Sequence, residues 1–161
     1  MTVRITKSEI NIREKLTELE GRSKEPAEIP SFRADLNGNQ NIPDSTYTLY
    51  NAQQVHWDNY NGFNSSDSSY TIPMNGVYLI NFMQWWATKP EGRTILRVYV
   101  DGNAVTSDYM LSPAGGTAST TAVLELESGN KVQMYIHQAS GSTTALDAND
   151  LNNGLSITKI A

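Results

Sequence analysis

Few side chains in this 161-residue chain could do covalent or acid–base chemistry. It contains no cysteine, which removes thiol nucleophiles, zinc thiolate sites and disulfide staples together. His56 and His137 are its two histidines. His56 sits beside Trp57 and Asp58, where a strand is expected to hold the His and Asp side chains apart. His137 follows Met134-Tyr135-Ile136 and reads as a packing or solvent-facing residue rather than a base. No Gly-x-Ser-x-Gly elbow, His-Glu-x-x-His pair or Gly-x-x-x-x-Gly-Lys loop occurs. An active site needs a nucleophile, a base and an orienting group together, so the expectation is a non-enzyme without a cofactor. "LDANDLNNG" offers oxygen ligands in Asp147, Asn149 and Asp150, but Leu151 falls where an EF-hand loop needs its third ligand. Asn and Asp clusters of this kind more often make turns, and no metal is expected. Tyr60, Phe63, Tyr70 and Tyr109 lie near loops, where they could stack on sugars or pack at sheet edges.

Composition narrows the partners. A net charge of −5 argues against nucleic acid, whose phosphates are met by clustered Lys and Arg. No apolar run approaches the roughly 20 residues that span a bilayer, so no membrane segment is expected. The opening "MTVRITKSEI" lacks the apolar stretch of a secretory signal. The expectation is a soluble protein made without an export signal.

The elements that must position these residues fall into two regions. Residues 1–30 hold six of the twelve basic residues and six glutamates, a charge-dense but neutral stretch. Within it, residues 1–24 read as an amphipathic N-terminal anchor. Thr6 and Glu9 have capping-box spacing, and Gly21 suits a C-terminal stop. Ile12, Leu16 and Leu19 share one helical face. So short a helix is marginal alone and must dock, either on its own domain or in a groove of another protein. Residues 25–30, "EPAEIP", form a Pro-containing linker that cannot continue the helix.

Residues 31–161 read as strands and tight turns. "SFRADLN" is a first strand ended at Asn37-Gly38. "RTILRVYVDGNAVTSDYML" is a hairpin turning at Asp101-Gly102, a pair that accepts type I′ geometry. "TASTTAVLELESGNKVQMYIHQ" reads as a second hairpin turning at Ser128-Gly129-Asn130, and "NGLSITKI" closes the chain. Some eight strands with no helix between them predict a two-sheet antiparallel sandwich or jelly roll.

The strand "GVYLINFMQWW" carries apolar residues on both sides. One side holds Tyr78, Ile80, Phe82, Gln84 and Trp86. The other holds Val77, Leu79, Asn81, Met83 and Trp85. A sandwich strand with one wet face should alternate apolar with polar. Something must therefore cover the second face, either a loop of the same chain or a second copy.

These pieces resemble the globular head of complement C1q and its relative, tumour necrosis factor. "GVYLINF" is similar to the family's Gly-x-Tyr-x-Phe-x-Phe strand, "AVLELESGNKVQMYI" to its Leu-x-Leu-x-x-Gly-Asp segment, and "NGLSITKI" to its last strand. "SFRA" stands in the place of its Ala-Phe-Ser-Ala opening. Asn130 replaces the usual Asp, and Asn152 and Asn153 replace final-strand aromatics. The resemblance implies an all-β, C1q/TNF-like antiparallel jelly-roll sandwich over residues 31–161. It also implies a homotrimer, with Val77, Leu79, Asn81, Met83 and Trp85 facing the three-fold axis. Neither a collagen-like stretch nor an export signal precedes the head, which argues against a complement or cytokine role.

"TVRITKSEINIREKLTEL" is similar in style to the short N-terminal anchors of small bacteriophage virion proteins. The expected function is a virion structural protein assembled in the host cytoplasm. It would be a trimeric capsid decoration or cement protein, held on the major capsid protein or another virion protein through Ile12, Leu16 and Leu19. The alternative is the tip of a phage tail or head fibre that binds a host receptor or surface glycan through its loops.

Overall fold

A computed structural model of the chain describes residues 28–88, 90–111, 116–148 and 153–161. Ile12, Leu16 and Leu19 lie outside the described residues, as do Asn149 and Asp150. Fourteen strands, and no α-helix, occur among the described residues. In chain order they begin with β1 (Ser31–Asp35), β2 (Gln40–Ile42), β3 (Thr48–Leu49), β4 (Gln54–Asp58) and β5 (Phe63–Asn64). Next come β6 (Ser69–Thr71), β7 (Gly76–Trp85), β8 (Arg93–Val100), β9 (Asn103–Ala104) and β10 (Asp108–Leu111). The last four are β11 (Thr117–Leu126), β12 (Lys131–Ala139), β13 (Thr144–Leu146) and β14 (Gly154–Lys159). One sheet runs β11-β7-β14-β1-β4. The other runs β10-β8-β12-β6-β5, with β3 beside β12 and β9 beside β8, while β13 and β2 form a small ribbon. The result is the expected antiparallel sandwich.

The core forms where the inward faces of the two sheets meet. Strand β7 contributes Tyr78, Ile80 and Phe82, all fully buried. Phe32 of β1 stacks on Phe63 and Tyr70 at 4.9 and 4.7 Å between ring centroids, and Tyr50 meets Phe82 edge-on at 4.7 Å. Leu96, Val98, Met134 and Ile136 supply the facing layer. Tyr70 and Phe63 are thus core aromatics rather than exposed sugar platforms. Tyr60 instead donates its hydroxyl to the Glu28 carbonyl at 2.7 Å.

Two turns of similar composition do different jobs. At Asp101-Gly102 both residues have positive φ, 49° and 78°, as a type I′ turn requires. Val100 pairs with Asn103 across it, and the Asp101 carboxylate accepts the Lys131 N–H at 2.8 Å. Ser128-Gly129-Asn130 is not a hairpin turn. Strand β11 pairs with β7 from Thr117↔Trp85 to Leu126↔Gly76, whereas β12 pairs with β8, β6 and β3. The chain therefore turns a corner from one sheet to the other. Gly129 donates to the Ile72 carbonyl and Ser128 to the Asn75 side chain, each at 2.8 Å, which ties the corner to the β6–β7 connection. A tight turn between two half-buried strands looks alike in sequence whether it closes a hairpin or crosses a sandwich.

Candidate functional site

The outward face of the five-stranded sheet is built in rows by its register. Strand β7 points Val77, Leu79, Asn81, Met83 and Trp85 outward while Tyr78, Ile80, Phe82 and Gln84 are buried beneath. In one row Val123 stands opposite Leu79, Leu79 opposite Thr158, and Thr158 opposite Ser31. The next row runs Thr121, Asn81, Ser156, Arg33 and Trp57. Leu79 and Val123 are 37% and 58% exposed, and Trp57 on edge strand β4 is 48% exposed. Large apolar side chains left in water on one face mark an association surface.

Short polar side chains fix this surface between the apolar ones. Thr121 donates to Asn81 Oδ1 at 3.1 Å, and the Trp57 indole donates to Ser31 Oγ at 2.9 Å. The Arg33 guanidinium lies 6.0 Å from the Trp57 ring centroid. A recess of about 150 Å³ lies among Arg33, Asn81, Met83, Asn153, Gly154, Leu155 and Ser156. It is smaller than the roughly 300 Å³ at which pockets for organic ligands begin. Asn153 is almost fully buried at its rim. Its side-chain oxygen accepts the Trp85 N–H and its amide donates to the Asp147 carbonyl. A polar side chain thus takes over backbone pairing at the entry to the last strand.

His56 finds a partner that its neighbours in sequence did not indicate. Its Nε2 bonds to the Asp35 carboxylate, with Arg33 Nε 3.6 Å from the other carboxylate oxygen. Asp58 is engaged elsewhere, accepting the N–H groups of Tyr60 and Phe63. The pair forms because β1 and β4 shift register at Arg33/Ala34, which leaves His56 as the extra residue. Among the described residues no hydroxyl is bonded to His56. Gly154 makes room for the pair. It sits at φ +153°, and a Cβ there would overlap the Asp35 carboxylate. Gly154→Ala is expected to cost about 1–3 kcal/mol through this overlap, read as a lower denaturant midpoint.

His137 lies on the other sheet and is nearly buried, with its ring 4.7 Å from that of Tyr47. Burial first, and then the nearby Arg93 and Arg97, push its pKa down. Among the described residues no three His, Asp or Glu side chains are grouped to hold a metal ion.

Comparison with known proteins gives the geometry a frame. The sequence model of the C1q domain matches residues 31–152. The globular domain of zebrafish complement 1qA superposes with a TM-score of 0.59 at 20% identity, covering 83% of this chain and 98% of that one. Murine APRIL superposes at 0.62 with 14% identity, covering 83% of this chain and all of that one. Eiger TNF from S. frugiperda superposes at 0.63 with 9% identity, covering 83% and 93%. No curated protein sequence matches.

Proposed function

We propose, from the premise that this chain belongs to the C1q domain family, that it is a trimeric, non-enzymatic structural protein displayed on a virus particle. The observation that carries the trimer is the outward face of the five-stranded sheet. Leu79 and Val123 stand exposed as a register pair, with Met83 and Trp85 on the same face. The family resemblance implies a three-fold contact on this face, and such a contact would remove that surface from water. Burial is favourable by roughly 25 cal/mol per Å² of apolar surface. The ordered Ser, Thr and Asn between the apolar side chains provide hydrogen-bonding groups at the rim of such a contact.

The particle role rests on the N-terminal sequence, which is similar in style to phage virion anchors. Ile12, Leu16 and Leu19 would each contribute roughly 1.5–3 kcal/mol on burial, less the cost of ordering the segment. One arm binds weakly, while three arms on one trimer hold firmly through effective concentration. On this reading the major capsid protein or another virion protein is the partner.

Attachment is tested separately from assembly. Deleting residues 1–24, or making Leu16→Asp, is expected to leave a folded trimer whose occupancy on purified particles falls at least about tenfold. Occupancy at the wild-type level would place attachment on the head and refute the anchor.

A further inference from the structure

The seven-stranded sheet has an outward face of different chemistry, on the opposite side of the sandwich from the face proposed to join copies. Strands β8 and β12 place Arg97 opposite Tyr135 and Tyr99 opposite Gln133. The Tyr99 and Tyr135 rings pack with centroids 4.5 Å apart. Arg97 lies 4.2 Å over the Tyr47 ring, and its Nε donates to Ser107 Oγ at 3.3 Å. Arg93 is exposed earlier on the same strand, and His137 supports Tyr47 from the side. Of the eight tyrosines, Tyr50, Tyr70 and Tyr78 are core residues and Tyr60 is tied to Glu28. The other four are Tyr47, Tyr99, Tyr135 and the half-exposed Tyr109, which β10 brings opposite Ile95. Tyr99, Tyr109 and Tyr135 belong to strands of this sheet and Tyr47 immediately precedes β3, whereas the outward rows of the five-stranded sheet hold no tyrosine.

Charge sets the face apart as strongly as its rings do. The chain carries a net −5, yet neither Arg93 nor Arg97 makes an ion pair among the described residues. Among the described residues Arg97 makes one hydrogen bond, through Nε, and stacks on Tyr47, which leaves its two terminal amino groups available to a carboxylate held end-on. After burial, both guanidinium groups push the His137 pKa down, with Asp44 opposing them. Two of the acids nearby are committed, while Glu91 lies exposed two residues before Arg93. Asp44 accepts the Gly141 N–H and the Ser45 hydroxyl, and Asp67 is 3.9 Å from Lys131.

We infer that this face binds an acidic polysaccharide. The two guanidinium groups are carried four residues apart on one strand, roughly 13 Å at the Cα atoms, farther than one carboxylate can bridge. A ligand satisfying both must therefore carry repeated acid groups. The Tyr99 and Tyr135 rings beside Arg97 are fixed by mutual packing and lose little freedom on binding, while Tyr109, opposite Ile95, stands between the two guanidinium groups, and each ring pairs an apolar face with a hydroxyl. Sugar rings present the matching surface, C–H groups on a face and hydroxyls around the edge. An acidic peptide carries the charges without those faces.

Binding of the full chain to polygalacturonate and to polysialic acid is the test. Neutral dextran and polyglutamate serve as references at matched ionic strength. At least one acidic polysaccharide is expected to bind, dextran not at all, and polyglutamate at least about tenfold more weakly. Arg97→Gln and Tyr99→Ala should each weaken binding about tenfold, while Glu125→Gln on the other sheet should not. Arg93→Gln changes an exposed side chain and should weaken binding without lowering the unfolding midpoint. Equal binding of polyglutamate would overturn the glycan assignment in favour of an acidic protein partner. Absence of binding to both polysaccharides, or unchanged binding by an Arg93→Gln/Arg97→Gln variant, would overturn the site itself.

Discussion

Aspartate at both Leu79 and Val123 is expected to turn the proposed trimer into a folded monomer. The two side chains face each other across β7 and β11 and stand exposed on the single chain, so the substitution removes no core contact. Exposed positions of this kind usually change fold stability by no more than about 0.5 kcal/mol. At a three-fold contact the same change brings two carboxylates per chain toward the axis. An unpaired buried charge costs several kcal/mol, so trimer dissociation should be favoured by at least about 1,000-fold, equivalent to about 4 kcal/mol. Sedimentation reads the assembly state, and circular dichroism with thermal melting reads the fold. A variant that stays trimeric would move the contact to another face.

The second large effect is expected at Trp86, one residue beyond the end of β7. Its side chain is 2% exposed and among the largest fully buried ones. It bridges to Leu146, and its N–H donates to the Gly116 carbonyl at 2.8 Å. Trp86→Ala would empty this end of the sandwich and cost about 3–5 kcal/mol. Against a total stability of about 5–15 kcal/mol, that loss should move the urea midpoint by a molar unit or more. Trp85 lies on the opposite, half-exposed side, so Trp85→Ala should leave the midpoint nearly unchanged and weaken association instead. Equal destabilisation by the two would contradict the assignment of faces.

The two sides of β7 are legible in the sequence because a strand's period is fixed at two and Gly76 sets its start. The type I′ turn is legible because Asp-Gly tolerates positive φ with little strain. The corner at Ser128–Asn130 is not, since hairpin and crossover demand the same turn residues and differ only in which distant strand each arm meets. The His56–Asp35 pair was hidden for a related reason. It joins residues 21 apart through a bulge, which alters the period that sequence reading relies on. Phe63 and Tyr70 sit next to loops in sequence, but β5 and β6 fold them inward onto Phe32. The tyrosine–arginine face is not legible in the sequence because its members lie far apart along the chain and form a surface only through the β8–β12 and β12–β3 register. Asn153 reads as a lost aromatic, yet its two amide atoms complete backbone pairing at β7.

Sedimentation equilibrium of the full chain tests the central claim most directly. The account predicts one species at three times the 17.8 kDa chain mass across micromolar concentrations, resolving to single chains when Leu79 and Val123 become aspartate. A wild-type chain that sediments at 17.8 kDa at tens of micromolar would contradict it, because the exposed Leu79–Val123 face would then have no second copy to cover it.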